Sequence, residues 1–201
     1  MIVIITKNLN ILGSWKDVLN DCRMSVNKPP LEKEPSDKFK KEILMAEHTP
    51  IRNLCIDWQW PDIPSWCATH FARHRWYKII STQRPDKTGK ERGNADAPVS
   101  FKGRQNMQHS IDTARKRLCF TSSDLTRKYE EDYKWTLTQA DPFMGNALVP
   151  NCIYRGGCPE PTPCGFYDRF IKTYGQISNL QERYDAYNRA FAFCMKGRSQ
   201  D

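Results

Sequence analysis

Residues 54–60, with the sequence LCIDWQW, alternate strictly between apolar and polar side chains. Successive side chains of a β-strand point to opposite faces, so this alternation predicts a half-buried strand. Its apolar face carries Leu54, Ile56, Trp58 and Trp60. That face restricts the fold more than any other feature, because its two tryptophans must be covered by the core of the domain.

The residues that precede this strand predict another strand and two helices. Residues 1–10, MIVIITKNLN, are too short an apolar stretch for a signal peptide and lack its basic start, so a buried first strand is favoured. Residues 14–27 predict a helix with Ser14 as its N-cap. A proline-rich polar loop over residues 28–37 and a short helix over residues 38–46 are expected to follow.

The middle of the chain predicts a helix and then a long loop. Asp62 is expected to cap this helix, which has Pro64 in its first turn and runs to about Arg73. Residues 85–103 contain glycine, proline and charged residues without periodicity. They are expected to form an exposed, mobile loop.

The C-terminal half predicts further helices over residues 104–118, over residues 123–139 and at the end of the chain. Residues 149–167 are rich in cysteine, proline and glycine and are expected to be irregular. Ser178 and Gln181 form a capping box for the last helix. Its apolar residues have heptad spacing, which suits packing on another helix in this chain or in a second subunit: Ile177, Leu180, Tyr184, Tyr187, Phe191 and Cys194.

The composition is that of a globular protein. The chain has 201 residues, of which 39% are apolar and 27% are charged. We therefore expect a single domain over residues 1–201. No apolar run reaches the roughly 18 residues that a membrane span needs. We expect a cytoplasmic protein whose eight cysteines are reduced.

Positive charge is concentrated in one part of the chain. The net charge is +8, and residues 72–128 alone carry 14 Lys or Arg and 5 Asp or Glu, which gives +9. A local basic field indicates a polyanionic partner, such as a nucleotide, a phosphate-bearing cofactor or nucleic acid. A solvated basic surface is the alternative interpretation.

Two short motifs stand out in this basic segment. Arg73, His74 and Arg75 directly follow an amphipathic helix, and Thr82-Gln83-Arg84 lies shortly beyond. Arginine binds phosphate in a planar, bidentate geometry. Histidine can donate a hydrogen bond to a heteroaromatic ring or stack on it. Taken alone, the first motif is a weak signal, and a plain surface cluster is the favoured interpretation of it.

The order of the motifs resembles the flavin-dependent thymidylate synthase family. The segment Glu47-His48-Thr49-Pro50-Ile51-Arg52 precedes the alternating strand, Arg73-His74-Arg75 follows the next helix, and Ser81-Thr82-Gln83-Arg84 comes just beyond. A second family segment is similar to Ala114-Arg115-Lys116-Arg117-Leu118-Cys119 followed by Thr126-Arg127. The resemblance thus rests on several motifs in the same order.

The resemblance implies a fold and an activity. The fold would be α+β, with a central antiparallel-type sheet flanked by helices and a long C-terminal helix. The protein would be a homotetramer with shared active sites in a bacterium or a phage-infected host. It would methylate dUMP reductively to dTMP, with methylenetetrahydrofolate as the carbon donor and FAD carrying hydride from NADPH. Neither a membrane nor nucleic acid is expected as a partner.

The resemblance also implies roles for individual residues. FAD would be bound by His48, Arg73, His74 and Arg75. The substrate dUMP would be bound by Thr82, Gln83, Arg84, Arg127 and Arg155. Among these, the catalytic residues would be Arg73, His74, Thr82 and Arg84.

The chain departs from the family's pattern within the resemblance, which spans roughly residues 10–130. Ile79-Ile80 stands where the family has Asn-Glu, Thr82 replaces a serine, and Pro85 replaces a tyrosine. These departures indicate a divergent branch of phage type. They leave open a second hypothesis, in which the same fold modifies a different pyrimidine nucleotide.

The cysteines supply a third hypothesis, a basic protein that binds metal or nucleic acid and has no flavin chemistry. Gaps of five residues separate Cys152, Cys158 and Cys164, and His109 or Cys119 could be a fourth ligand. Structural zinc sites usually pair cysteines two to four residues apart. Packing is therefore the simpler interpretation, and no metal ligand is assigned from the sequence.

Overall fold

A computed structural model describes residues 5–197 of the chain. Within this range four strands form one antiparallel sheet, whose order is β1 (Lys7–Leu12), β2 (Cys55–Pro64), β4 (Pro98–Asn106) and β3 (Tyr77–Ile80). The predicted first strand is present as β1, although residues 1–4 of that prediction lie outside the described residues.

Helices account for most of the remaining chain, together with a 3-10 turn at Thr49–Asn53. The helices are α1 (Trp15–Met24), α2 (Asp37–Met45), α3 (Ser65–Ala72), α4 (Pro85–Thr88), α5 (Met107–Arg117), α6 (Asp124–Ala140), α7 (Pro142–Asn146), α8 (Asn151–Arg155), α9 (Phe166–Tyr174) and α10 (Leu180–Gly197). None of the helices between residues 5 and 197 is long and apolar enough to cross a membrane.

The buried face predicted over residues 54–60 is confirmed, since its four apolar side chains are at most 1% exposed, although β2 itself begins at Cys55. The ring of Trp58 lies 4.7 Å from that of Tyr133 on α6 and 5.1 Å from that of Trp76. The ring of Trp60 lies 4.6 Å from that of Phe71 on α3. Aromatic pairs at these separations are favourable beyond the area they bury. The sheet, α3 and α6 therefore share one aromatic core.

A glycine on β4 allows this core to close. Gly103 is paired with Trp58 across the two central strands, and the indole lies directly on its backbone. A Cβ at Gly103 would come within 2.4 Å of Trp58 Cζ2. Trp58 can therefore keep its place only if position 103 has no side chain.

The opposite face of the sheet is open among the described residues. Tyr77 and Ile79 of β3 are 56% and 51% exposed, and they stand beside Arg104 and Lys102 of β4. The predicted antiparallel sheet with a long C-terminal helix is thus present, but helices cover only one face of it.

The predictions for the first helices are confirmed apart from their ends. The helix predicted over residues 14–27 is α1, and Ser14 Oγ accepts a hydrogen bond from Asp17 N at 3.1 Å. The helix predicted over residues 38–46 is α2, for which Ser36 provides the cap. In both cases a hydroxyl satisfies a backbone N–H of the first turn.

The prediction that Asp62 caps a helix is wrong. A shift of register between Trp60 and Ile63 lets β2 continue to Pro64, and α3 begins only at Ser65, without a side-chain cap. A bulge of this kind accommodates an extra residue without ending the strand. The strand therefore continues beyond residue 60, where the strict alternation of apolar and polar residues ends.

The predicted loop over residues 85–103 is also wrong in part. Only residues 89–97 lack helix and strand, because α4 and β4 occupy the two ends. In β4 the buried positions hold Val99, Phe101 and Gly103 in alternation with exposed polar residues. Because Gly103 interrupts the alternation of apolar residues, the sequence did not predict this strand. The helix predicted from residue 104 accordingly begins at Met107.

The C-terminal helices follow the predicted pattern with two corrections. The helix predicted over residues 123–139 is α6, and the last helix is α10. The cap of α10 is Asn179, whose Oδ1 accepts from Glu182 N at 3.0 Å, and the predicted capping box of Ser178 and Gln181 is wrong. The segment predicted as irregular contains α8 and the start of α9, so only residues 149–150 and 156–165 of it are irregular.

Replacing Gly103 tests whether the core depends on close contact between the backbone of β4 and the ring of Trp58. We expect Gly103→Ala to lower the free energy of unfolding by about 1–3 kcal/mol, because the new methyl group overlaps the Trp58 ring. Urea unfolding measures the change. Gly197→Ala is the matched control, because nothing lies within 4 Å of its added Cβ. Equal stability of the two variants would contradict this account of the core.

Candidate active site

The loop that follows β3 lines an open cleft of about 300 Å³. The predicted Thr82-Gln83-Arg84 motif lies along it, together with Ser65 of α3 and Arg92 from residues 89–97. Pairing of β3 with β4 positions this loop, since Ser81 N donates to the backbone oxygen of Ser100 at 2.9 Å. The cleft therefore presents hydroxyl, amide and guanidinium groups on a frame fixed by the sheet.

The motif in this cleft is held by short-range contacts. The backbone N–H of Arg84 donates to Thr82 Oγ1 at 3.2 Å, which closes a turn. The guanidinium of Arg84 donates to both carboxylate oxygens of Asp86, at 3.0 and 2.7 Å. The two side chains are 68% and 55% exposed, so this ion pair contributes little to stability. A phosphate has the geometry to replace the carboxylate.

The three residues of the other predicted motif differ in exposure. Arg73 and Arg75 are exposed, and neither forms an ion pair with a carboxylate of residues 5–197. His74 is half-buried, and its Nε2 accepts a hydrogen bond from Arg117 Nε at 2.9 Å. Arg117 Nη2 also donates to the backbone oxygen of His70 at 2.6 Å. The hydrogen bonds that Arg117 donates to His74 and to the His70 carbonyl thus connect the end of α3 to α5.

Burial sets the protonation of His74. The pKa of His74 is lowered from 6.5 to about 4, first by burial and then by the charges of Arg117 and Lys78. The imidazole is therefore neutral at pH 7. Because Nε2 accepts from Arg117, the single ring proton is on Nδ1. His74 can donate one hydrogen bond to a ligand and does not act as a cation.

The two motifs lie at opposite ends of β3. This strand has four residues, from Tyr77 to Ile80, and is roughly 13 Å long. Arg75 precedes the strand and Thr82 follows it, and the first motif does not line the cleft described above. A single chain therefore does not bring the predicted flavin-binding and nucleotide-binding motifs together.

Two other predicted residues also lie apart from the cleft. His48 is exposed and lines a separate cleft of about 520 Å³ next to α1. Arg155 is exposed at the end of α8 and donates from Nε to Asn151 Oδ1 at 3.3 Å. Within one chain, neither side chain lines the same cleft as Arg84.

Arg127 is already engaged on α6. Its guanidinium pairs with Asp124 at 2.9 Å and with Glu131 at 3.4 Å, and it lies 4.3 Å from the centre of the Phe120 ring. The side chain is only 17% exposed. A phosphate bound here would have to displace two carboxylates. Arg84 and Arg92 are more accessible cations than this predicted phosphate ligand.

Two buried charged side chains on α6 were not predicted from the sequence. Glu130 of α6 is 1% exposed, burial raises its pKa to about 8, and its Oε1 has no hydrogen-bond partner among the described residues. Lys134 donates from Nζ to Gly145 O at 2.8 Å and to Asn188 Oδ1 at 2.7 Å, and burial lowers its pKa to about 7. Glu130 directly follows Tyr129 and Lys134 directly follows Tyr133, and these two tyrosines, four residues apart, were the available signal.

Comparison with known proteins shows similarity at the level of the fold. No family model matches this sequence, and no curated protein matches it. Among solved structures, the chain is similar to the UMP/dUMP methylase PolB from Streptomyces cacaoi, solved with bound 5-Br dUMP. The TM-score is 0.55 at 10% sequence identity, and the match covers 70% of this chain and 94% of that one. The two proteins therefore share an overall fold.

The protonation of His74 predicts how stability depends on pH. Between pH 6.5 and about 4, the unfolded chain takes up a proton at His74 that the folded chain excludes. The free energy of unfolding therefore falls as the pH falls through this window. His74→Gln should reduce that fall, because glutamine does not titrate. Urea unfolding at a series of pH values measures the slope.

The control for this experiment is His48→Gln, which removes an exposed histidine. It should keep the slope of the unmodified protein. If the free energy of unfolding of His74→Gln changes with pH as steeply as that of the unmodified protein, His74 is not held neutral by its surroundings.

Proposed function

We propose that this protein is a pyrimidine-nucleotide methylase and that its substrate is dUMP. The cleft after β3 carries the proposal, because the Thr82-Gln83-Arg84 motif lines it on a fold shared with a UMP/dUMP methylase. A nucleoside monophosphate needs a cation for its phosphate and hydrogen-bonding groups for its sugar and base. This cleft supplies both kinds of group within about 300 Å³.

Arg84 is the proposed phosphate ligand. Its planar guanidinium binds a carboxylate through two parallel hydrogen bonds, and a phosphate presents two oxygens in the same way. Asp86 would be released to solvent at little cost, because the ion pair is exposed. Arg92 is a second cation on the same cleft, and Thr82 and Gln83 offer groups for the sugar or base.

FAD is the proposed cofactor. The exposed arginines that follow α3 suit its negatively charged pyrophosphate. Arg73 and Arg75 have no carboxylate partner in the described part of the chain, so both are free to bind a pyrophosphate. His74 would offer only its Nδ1–H to the flavin, because Arg117 occupies Nε2. When bound, FAD would pass hydride from NADPH to the one-carbon unit that methylenetetrahydrofolate donates.

The separation of the two motifs supports a site shared between subunits. One chain holds Arg75 and Thr82 at opposite ends of β3, so a second copy is needed to bring a flavin motif beside a nucleotide motif. The exposed Tyr77 and Ile79 lie on the strand between them, and this apolar surface suits contact with another subunit. We therefore include a homotetramer with composite active sites in the proposal.

UMP is the second candidate substrate. The UMP/dUMP methylase that shares this fold is named for both nucleotides. In this chain Ile79-Ile80 and Pro85 replace residues of the family's nucleotide motif, and Ile80 and Pro85 line the cleft. Parallel assays with dUMP and UMP, supplied with FAD, NADPH and methylenetetrahydrofolate, distinguish the two by the methylated product formed.

Substitution of Arg84 tests the nucleotide site. Arg84→Gln should weaken dUMP binding about 10- to 100-fold, because a charge-assisted pair of hydrogen bonds to the phosphate is lost. Isothermal titration calorimetry measures the affinity. The matched control is Arg189→Gln on the exposed side of α10, which should bind dUMP as the unmodified protein does. Unchanged affinity in Arg84→Gln would place the phosphate elsewhere.

Substitution of Arg75 tests the flavin site independently. Arg75→Gln should retain less FAD than the unmodified protein after gel filtration, because one of two unpaired cations is lost. Arg189→Gln is again the control. Flavin absorbance in the protein peak measures retention. If FAD stays with both variants equally, the flavin is not bound through Arg75.

A further inference from the structure

Helices α6, α9 and α10 line a further cleft, of about 280 Å³, together with the residues that follow α5. It shares no lining residue with the clefts that contain Arg84 and His48. The proposed methylation therefore does not use it. Most of its wall is aromatic: Phe120, Phe166, Phe170, Tyr174, Tyr187 and Phe191.

The aromatic rings of this wall contact one another. The ring of Phe120 stacks on that of Phe166, with centroids 4.7 Å apart and planes inclined by 16°. The rings of Phe166 and Tyr187 meet edge to face at 6.4 Å, and Tyr187 stacks on Phe191 at 6.2 Å. The wall is thus a continuous apolar surface whose rings hold one another in place. A flat ligand ring can pack on such a surface in offset or edge-to-face geometry.

The aromatic surface runs from the interior of the domain to its exterior. Phe170 and Tyr187 are at most 8% exposed, whereas Phe120 and Tyr174 are 41% and 40% exposed. The sequence predicted that Tyr187 lies on a helix-packing stripe, and in the structure it also lines this cleft. A concave, mostly apolar cleft with a few polar groups at its edge is the usual form of a small-molecule site.

One cation at this cleft has no acidic partner. Arg169 of α9 lines the cleft and is exposed, and its guanidinium forms no ion pair with a carboxylate of residues 5–197. Glu131 of α6 lines the same cleft, but its carboxylate pairs with Arg127 at 3.4 Å. The guanidinium of Arg169 is therefore available to an anionic ligand.

These features discriminate between classes of ligand. A nucleotide needs polar groups for its phosphate and its sugar, and the wall of this cleft offers aromatic rings instead. A neutral apolar molecule would leave the charge of Arg169 unused. A carboxylate attached to a flat ring satisfies both parts of the cleft, because guanidinium groups bind carboxylates through two parallel hydrogen bonds. A cleft of about 280 Å³ is large enough for one or two fused rings.

We propose that this cleft binds a planar aromatic carboxylate. The ring of the ligand packs on the wall formed by Phe166, Tyr187 and Phe191, and its carboxylate pairs with Arg169 at the edge. The site is separate from the nucleotide cleft and goes beyond the proposed methylation.

The first test is the binding of 2-naphthoate to the full chain, measured by isothermal titration calorimetry without nucleotide or flavin. We expect saturable binding. Two other probes each lack one half of the ligand: octanoate has no ring, and 2-naphthamide has no charge. Each should bind about 10-fold less tightly. Absence of saturable binding would overturn the proposal, and so would equal affinity for either of these probes. The outcome does not depend on the proposed methylation.

Substitution of Arg169 tests the contact with the carboxylate. Arg169→Gln should weaken 2-naphthoate binding about 10-fold, because charge-assisted hydrogen bonds are lost, and should leave 2-naphthamide binding unchanged. The matched control is Arg189→Gln, since Arg189 is exposed on α10 and does not line the cleft. Unchanged affinity for 2-naphthoate in Arg169→Gln would overturn the proposal.

A second variant tests the position of the ring. Ala190 lines the cleft, so Ala190→Phe should fill part of it and prevent binding of both naphthyl probes. Ala192→Phe is the matched control, because Ala192 lies on the same helix and does not line the cleft. Unchanged binding by Ala190→Phe would overturn the proposal. If this variant does not fold, Arg169→Gln decides the matter, because Arg169 is exposed.

A second copy of this chain is the alternative occupant of the cleft. Sedimentation velocity at the concentration used for the titration distinguishes the two. If the unmodified protein binds no 2-naphthoate and forms a dimer that Ala190→Phe dissociates, the cleft is a subunit contact. That result would overturn the proposal.

Discussion

The contact between the Trp58 ring and the backbone of Gly103 is the constraint on which the rest of this structure depends. It sets how β2 and β4 pair, and β4 in turn positions β3 and the cleft that follows it. The same indole packs on Tyr133 of α6, so the helical layer is located by the same ring. A change at this contact would move the sheet, the helices and the cleft together.

Arginines of the basic segment, residues 72–128, have two roles: one connects helices, and others are exposed to a ligand. Arg117 points inward, where it donates to His74 and to the His70 carbonyl and so fixes α3 relative to α5. Arg73 and Arg75 remain exposed on either side of the half-buried His74. The arginine that faces inward therefore positions the arginines that are available to a ligand.

Helix α5 connects the two regions to which we assign ligands. Its first residue follows β4 directly, so its start is fixed by the sheet that carries the nucleotide cleft. Arg117, the last residue of α5, contacts His74 in the motif proposed for the flavin. One helix thus fixes the position of the flavin motif relative to the sheet that carries the cleft.

The sequence by itself determined those elements whose signal is local. Alternation identified the buried face of β2, and a hydroxyl cap identified the start of α1, because both depend on neighbouring residues alone. It also singled out Thr82-Gln83-Arg84, which the structure places in a cleft. Only the tertiary structure decided that β4 is a strand and that His74 faces inward to Arg117. Each of these depends on contacts between residues far apart in the chain, where spacing carries no information.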